Sequence, residues 1–311
     1  MIARTAPEDG RRGPRRRRVL VRAVTSIIVG VLALVLAVAA SVAAGVEPAG
    51  PQIGASRVAL ASITDPRNKP LVDVSADDFV VQEAGAAREI LSVRPADYPV
   101  VVLLDTGVEA RVDFPVLQKA VRHFIERIGQ RPLALGTFGS EPKLITTFED
   151  DRQTVIAKLA GIAADTVRGS LLLQGAALAG ETIRATGTLF SAIVIVSAAS
   201  IDASRNRPDD MVASVVDSGA ILHVIANRPG QAAGGLRQGS TLRALAEQSH
   251  GEFTVIYSAS SYQAALDRLA DRLTTEMMIE YLVPVGSKPN DVKVGVRIVG
   301  ARVRGLGVAP R

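Results

Sequence analysis

The chain has no cysteine and no tryptophan, and aromatic residues fill only 4% of its 311 positions. Without thiols it can form no disulfide, no thiolate metal site and no cysteine nucleophile, although this leaves the compartment open. Histidine is scarce as well. His123 falls in an amphipathic stretch, His223 inside an apolar run and His250 in a Ser-His-Gly turn, with no metal-ligand spacing among them. A basic surface is missing from most of the chain too. Residues 1–22 hold eight arginines against Glu8 and Asp9, a net of +6, while the whole chain is +5, so residues 23–311 sum to −1. The positive charge is a tail rather than a patch on a folded domain, which speaks against nucleic-acid binding.

What is present is an ordinary globular composition, 48% hydrophobic and 22% charged, with enough apolar surface to fold most of the length. Directly after the arginine-rich tail, residues 23–46 carry no charge. As a helix these 24 residues would span about 36 Å, enough to cross a hydrocarbon layer of about 30 Å. Arginines on the N-terminal flank alone predict a cytoplasmic N-terminus and an extracytoplasmic remainder. The segment is expected to be a permanent signal anchor in a bacterial cell membrane. The alternative is a signal peptide cleaved at a small-x-small site such as Val42-Ala43-Ala44, which would release a secreted protein.

Residues 47–56 are rich in proline, glycine and alanine and read as a linker. Extended runs with turn residues between them predict a small β module over 57–96. From Pro99 the pattern changes. Val100–Leu104 is a continuous run of valine and leucine, the mark of a strand buried on both faces of a parallel sheet. An amphipathic helix is expected near 114–128 with Val116, Ala120, Phe124 and Ile128 on one stripe. Strands near 133–138, 143–147, 192–196, 221–226 and 253–256 then alternate with helices near 152–163, 171–185, 210–218, 241–249 and 262–276. This rhythm over 97–276 predicts a doubly wound, mostly parallel α/β sheet, with ligands at the loops after Leu104, Val196 and Ala226. The segment 277–311 returns to β patterning and is expected to complete the small module.

The apolar strand ends in Asp105-Thr106-Gly107-Val108-Glu109. With ADDFVVQE upstream and VVVLLDTG following, the chain resembles the von Willebrand factor type A family, specifically its bacterial VWFA-related branch, over residues 57–308. In that family an Asp-x-Ser-x-Ser motif, a later threonine and a later aspartate hold a divalent cation, usually Mg²⁺. A hard cation of this kind takes oxygen ligands. Residue by residue, Asp105 matches the first aspartate, Gly107 replaces the first serine, Glu109 replaces the second, Ser170 matches the threonine, and Ala198 stands where the second aspartate is expected. Asp202 lies four residues further on. The resemblance implies Asp105, Glu109 and Ser170 as the remnant of a metal site, with Asp105, Thr106, Gly107, Glu109, Ser197 and Asp202 at a partner-binding rim. The expected function is a membrane-anchored module that binds another envelope or surface protein, without enzymatic activity and without a cofactor. The alternative is Mg²⁺-dependent adhesion through a modified site. A hydrolase built on Ser197, His223 and Asp105 is the remote alternative, since no Gly-x-Ser-x-Gly elbow surrounds Ser197. The glycine-rich 228–235 stretch lacks the lysine of a phosphate loop and reads as a flexible loop, with a partner-contacting segment as the alternative.

Overall fold

The computed structural model describes residues 54–310 apart from 72, 167–168, 199–201, 205–207 and 228–232. The expected membrane-spanning segment at 23–46, the basic tail, most of the linker and residues 228–232 of the glycine-rich loop lie outside the described residues. Among the described residues no helix is long and apolar enough to cross a membrane.

The chain begins with β1 (Ala55–Thr64), β2 (Phe79–Glu83), β3 (Ala86–Arg88) and β4 (Ile90–Pro95). A two-residue turn joins β2 to β3, with Ala84 at φ 53° and Gly85 at φ 78°. Both central residues are left-handed, as a hairpin turn that follows strand twist requires. The α/β part follows as β5 (Val100–Leu104), α1 (Phe114–Arg127), β6 (Leu133–Thr137), β7 (Lys143–Leu144), α2 (Arg152–Ala160), α3 (Leu172–Thr186) and β8 (Ala192–Ser197). It continues with α4 (Pro208–Asp217), β9 (Ile221–Asn227), α5 (Ala233–Gln248), β10 (Glu252–Ile256) and α6 (Ser261–Thr274). The chain then returns through β11 (Glu276–Val283), β12 (Lys293–Val296) and β13 (Arg302–Pro310).

The six-stranded sheet runs in the order β10-β9-β8-β5-β6-β7. Its first five strands are parallel, and only the two-residue β7 pairs antiparallel with β6. β5 is central, so both its faces are covered. Val100, Val102 and Leu104 join one core with α1, α2 and α6, whereas Val101 and Leu103 join the other with α3, α4 and α5. This two-sided burial is why the strand carries no alternation in its sequence. α2 starts on Asp151, whose carboxylate accepts from the Thr154 amide at 2.7 Å, an ordinary N-cap.

The α1 stripe differs from the sequence expectation by part of a turn. Leu117, Ala120, Val121, Phe124 and Ile125 are buried, but Val116 is 43% exposed. The apolar arc is set by packing against both α2 and α6, so it is wider than a single i, i+4 line and centred on Leu117 and Val121. The strand expected at 143–147 is also shorter. Beyond Leu144, Thr146 turns its hydroxyl onto the Leu135 amide at 2.7 Å and ends the pairing.

The flanking segments build a second layer. β1, β4, β11 and β13 form an antiparallel sheet in the order β13-β1-β11-β4. One face of it, through Val58, Leu60, Met278, Leu306 and Ala309, shares the core of α1 and α6. The other face, through Ala59, Ala61, Ile63, Ile279 and Tyr281, packs on Phe79 and Val81 of the three-stranded sheet β12-β2-β3. Inside that second core the Arg57 guanidinium pairs with the Glu83 carboxylate, both nearly inaccessible.

His223 lies in mid-strand on β9, 1% exposed, and neither ring nitrogen has a hydrogen-bond partner. Burial, reinforced by the nearby Arg272 and Arg304, pushes its basicity down to about 3 from an ordinary 6.5. The unfolded chain therefore binds a proton that the folded chain refuses. Stability is full above about pH 6.5 and falls as pH drops from there towards 3. Replacing His223 with leucine is expected to flatten this acid limb, recovering a few kcal/mol near pH 4 relative to the parent. Urea unfolding of both proteins from pH 4 to pH 8 measures it, and parallel pH profiles would contradict the assignment.

Candidate functional site

The site forms because β5 is where the winding reverses. The chain leaves β5 for β6 on one side and later places β8 on the other, which opens a crevice at the carboxyl ends of β5 and β8. Asp105 continues β5 into this crevice, its amide bonded to the Val196 carbonyl at 3.0 Å. Ser197 and Ala198 arrive at the end of β8, and Ser170 comes from the segment just before α3.

These residues converge on one carboxylate. Asp105 is fully buried, as is Ser170, and Ser197 is 1% exposed. On Asp105, Oδ1 accepts from the Gly107 amide at 2.9 Å and from the Ser170 hydroxyl. Oδ2 accepts from the Ala198 amide at 2.9 Å and from the Ser197 hydroxyl at 3.4 Å. Among the described residues, donors from three chain segments thus solvate a charge that burial would otherwise make costly. Tyr262 of α6 closes the floor by donating to the Ser197 carbonyl at 3.0 Å. Burial raises the Tyr262 phenol well above its ordinary range, and the Asp105 and Asp113 charges add to this, so it remains a donor.

The other residues expected at the rim are divided. Glu109 is exposed, and its oxygens accept from the Gly169 amide at 3.3 and 3.4 Å. Thr106 is 4% exposed and turns away from Asp105 towards Asp165, its hydroxyl 3.5 Å from that carboxylate. Asp165 also accepts from the Ser140 amide and hydroxyl at 2.7 and 2.9 Å. It is a second rim carboxylate that nothing in the sequence pattern marks, because only the fold brings residue 165 beside residues 106 and 140. Asp202 is engaged at the start of α3, where it accepts from the Leu172 amide at 3.0 Å and from the Ser204 hydroxyl at 2.6 Å. There it complements the positive end of the helix. Two exposed apolar residues also stand at this end of the sheet and were not singled out by sequence: Val112, 89% exposed, in the loop after β5, and Tyr257, 75% exposed, directly after β10.

The family resemblance implies an octahedral cation here, and a Cβ at Gly107 would have oxygens of Ser170, Asp105 and Glu109 within 3.3 Å. A cation needs carboxylate and hydroxyl lone pairs turned towards it, but both Asp105 oxygens face protein donors and the Ser170 hydroxyl points its proton at Asp105. A Cβ added at Gly107 would lie 2.3 Å from Ser170 Oγ and 3.2 Å from Asp105 Oδ1, so the space a serine would use is already filled. Among the described residues no three acidic or histidine side chains are grouped to hold a metal ion. The hydrolase arrangement is not assembled either: Ser197 donates directly to Asp105, while the His223 ring has no hydrogen-bond partner.

No family model and no curated protein matches the chain. Among solved structures it is similar to von Willebrand factor type A domains. One from Catenulispora acidiphila superposes with a TM-score of 0.49 at 10% identity, over 84% of this chain and 74% of that one. Proximal thread matrix protein 1 from the mussel byssus gives 0.48 at 10% identity, over 58% of this chain and 48% of that one. The von Willebrand factor domain of the type V pili tip protein Mfa5 from Porphyromonas gingivalis gives 0.44 at 10% identity, over 57% of this chain and 95% of that one. This chain therefore spans about half the length of the mussel protein.

Restoring the missing hydroxyl should damage the site instead of repairing it. Gly107→Ser is expected to destabilise by about 1–3 kcal/mol through overpacking against Ser170. Pairing it with Ser170→Ala should recover part of that loss, a coupling that a double-mutant cycle in urea reads directly. Additive costs would show that the two positions do not compete for space.

Proposed function

We propose that this chain is a membrane-tethered, extracytoplasmic binding module of the von Willebrand factor A type. It holds another envelope or surface protein at the carboxyl rim of its parallel sheet, without a metal ion and without catalysis. The observation that carries this reading is the Asp105 carboxylate, buried and supplied with protein donors at the switch point of the sheet. A charge solvated in this way organises the rim internally, which leaves contact with a partner to the exposed residues around it. Glu109, Val112 and Tyr257 have that exposure, and exposed aromatic side chains are common anchors of protein interfaces. The tether rests on the arginine block followed by the uncharged stretch at 23–46, and the orientation rests on the charge asymmetry across it.

The test is a cross-linking capture of the full-length protein from membranes, with and without chelator. Capture of one partner should be unaffected by chelation. It should fall at least tenfold when Tyr257→Ala and Val112→Asp are combined, in line with loss of a central anchor worth about 2 kcal/mol. Loss of capture on chelation would restore the cation-dependent reading, with Glu109 as the added ligand.

The topology has its own readout. Protease added to intact spheroplasts should digest residues 57–311, and protection of that region would place the domain on the other side of the membrane.

A further inference from the structure

Among the described residues the chain passes between the antiparallel sheet and the α/β layer twice, at Ala96–Pro99 between β4 and β5 and at Thr275 between α6 and β11. One buried polar cluster joins the two passages. The Ala96 amide donates to the Glu276 carbonyl at 2.8 Å, and the Tyr98 hydroxyl donates to Glu276 Oε2. Arg131, just before β6, lies over the Tyr98 ring at 4.5 Å from its centroid and gives Nη2 to the Leu273 carbonyl at 2.5 Å. Tyr98, Arg131 and Glu276 are 3%, 6% and 1% exposed.

Among the described residues, Glu276 has no guanidinium within hydrogen-bond distance to hold a full charge. Arg131 Nη2, already bonded to the last turn of α6, stands 3.8 Å from Glu276 Oε2, too far for a hydrogen bond. Glu276 Oε1 and Arg131 Nη1 are both buried without a partner. A full charge on Glu276 would thus rest on a single hydroxyl donor at close range, in a setting where buried charge is tolerated only when well paired. The charged and titratable groups facing Glu276 are Tyr98 from the first passage, Arg131 from the segment before β6, and Arg272 from α6. Arg272 is itself committed to the His250 carbonyl at 2.5 Å and Glu252 at 3.3 Å.

We propose that Glu276 is a proton-operated latch between the two layers: with a neutral carboxyl the passages are clamped together, and ionisation loosens them. Burial pushes the carboxyl up to about 7 from an ordinary 4.5, against the opposing pull of the Tyr98 hydroxyl and the two guanidinium groups. Local opening hydrates the group and returns it to its ordinary value. Opening therefore becomes easier as pH rises from about 4.5 through 7, and levels off above that. A latch of this kind makes the rigidity of the seam respond to pH in the neutral range, independently of the rim and of any partner bound there.

Hydrogen exchange of the full chain, followed in peptides spanning 96–100 and 273–279 and corrected for intrinsic rates, tests this. Protection in both peptides should fall more than tenfold between pH 5 and pH 8, because the opening constant rises about tenfold for each pH step over which only the open form ionises. Glu276→Gln should keep the acid level of protection throughout. A flat profile in the parent, or the same decline in Glu276→Gln, would overturn the proposal. Should Glu276→Gln fail to fold, Tyr98→Phe serves in its place. It removes the one donor to Oε2 and should move the midpoint to higher pH, and an unmoved midpoint would equally overturn the latch.

Discussion

Burying a carboxylate at the end of a parallel strand imposes a condition on everything around it: each of its oxygens needs donors, and those donors must be held in place. Asp105 meets the condition with the Gly107 and Ala198 amides and the Ser170 and Ser197 hydroxyls. Each donor belongs to an element whose position depends on the sheet. Gly107 turns the chain out of β5, Ser170 leads into α3, and Ser197 and Ala198 end β8. Moving any of these would strand a buried charge, so the carboxylate ties the loops of the rim to the central strands. It also accounts for Gly107, because a side chain there would compete with Ser170 for the same space.

The small β layer contributes to this rigidity from the opposite end of the molecule. β1 and β11 pair over eight registered positions, and the face they present to α1 and α6 belongs to the same core as Val100, Val102 and Leu104. The layer is therefore continuous with the α/β core and not an appendage. Its inner polar groups, the Arg57–Glu83 pair and the Tyr98–Arg131–Glu276 cluster, sit where strands of separate origin meet. Breaking a buried pair of this kind leaves an uncompensated buried charge, so each partner depends on the other's strand being in place. That suits a sheet assembled from segments more than 200 residues apart, as the Ser56–Glu280 contact across 224 positions shows.

Much of this architecture was legible in the residues. The unbroken apolar runs at 100–104 and 192–196 are what two-sided burial demands. Local patterning failed where a second neighbour intervened. Val116 matches the i, i+4 stripe of α1 yet is exposed, because α2 and α6 together centre the buried arc elsewhere. The site was partly legible. Asp105, Ser170 and Ser197 do meet, whereas Thr106 bonds to Asp165 and Asp202 serves the start of α3. Asp165 left no trace in the sequence, since its relation to residues 106 and 140 exists only after folding.

The sequence by itself determined the alternation of strands and helices, the position of Asp105 at the end of a doubly buried strand, and the confinement of the net positive charge to the first 22 residues, because each of these is written in local periodicity or composition. What the tertiary structure alone decided is how Asp105 is satisfied, which side chains remain exposed around it, and that Glu276 meets Arg131 and Tyr98 across the seam. Those outcomes depend on distances between segments remote in the chain. Hydrogen bonds and desolvation act on such distances, and no local pattern encodes them.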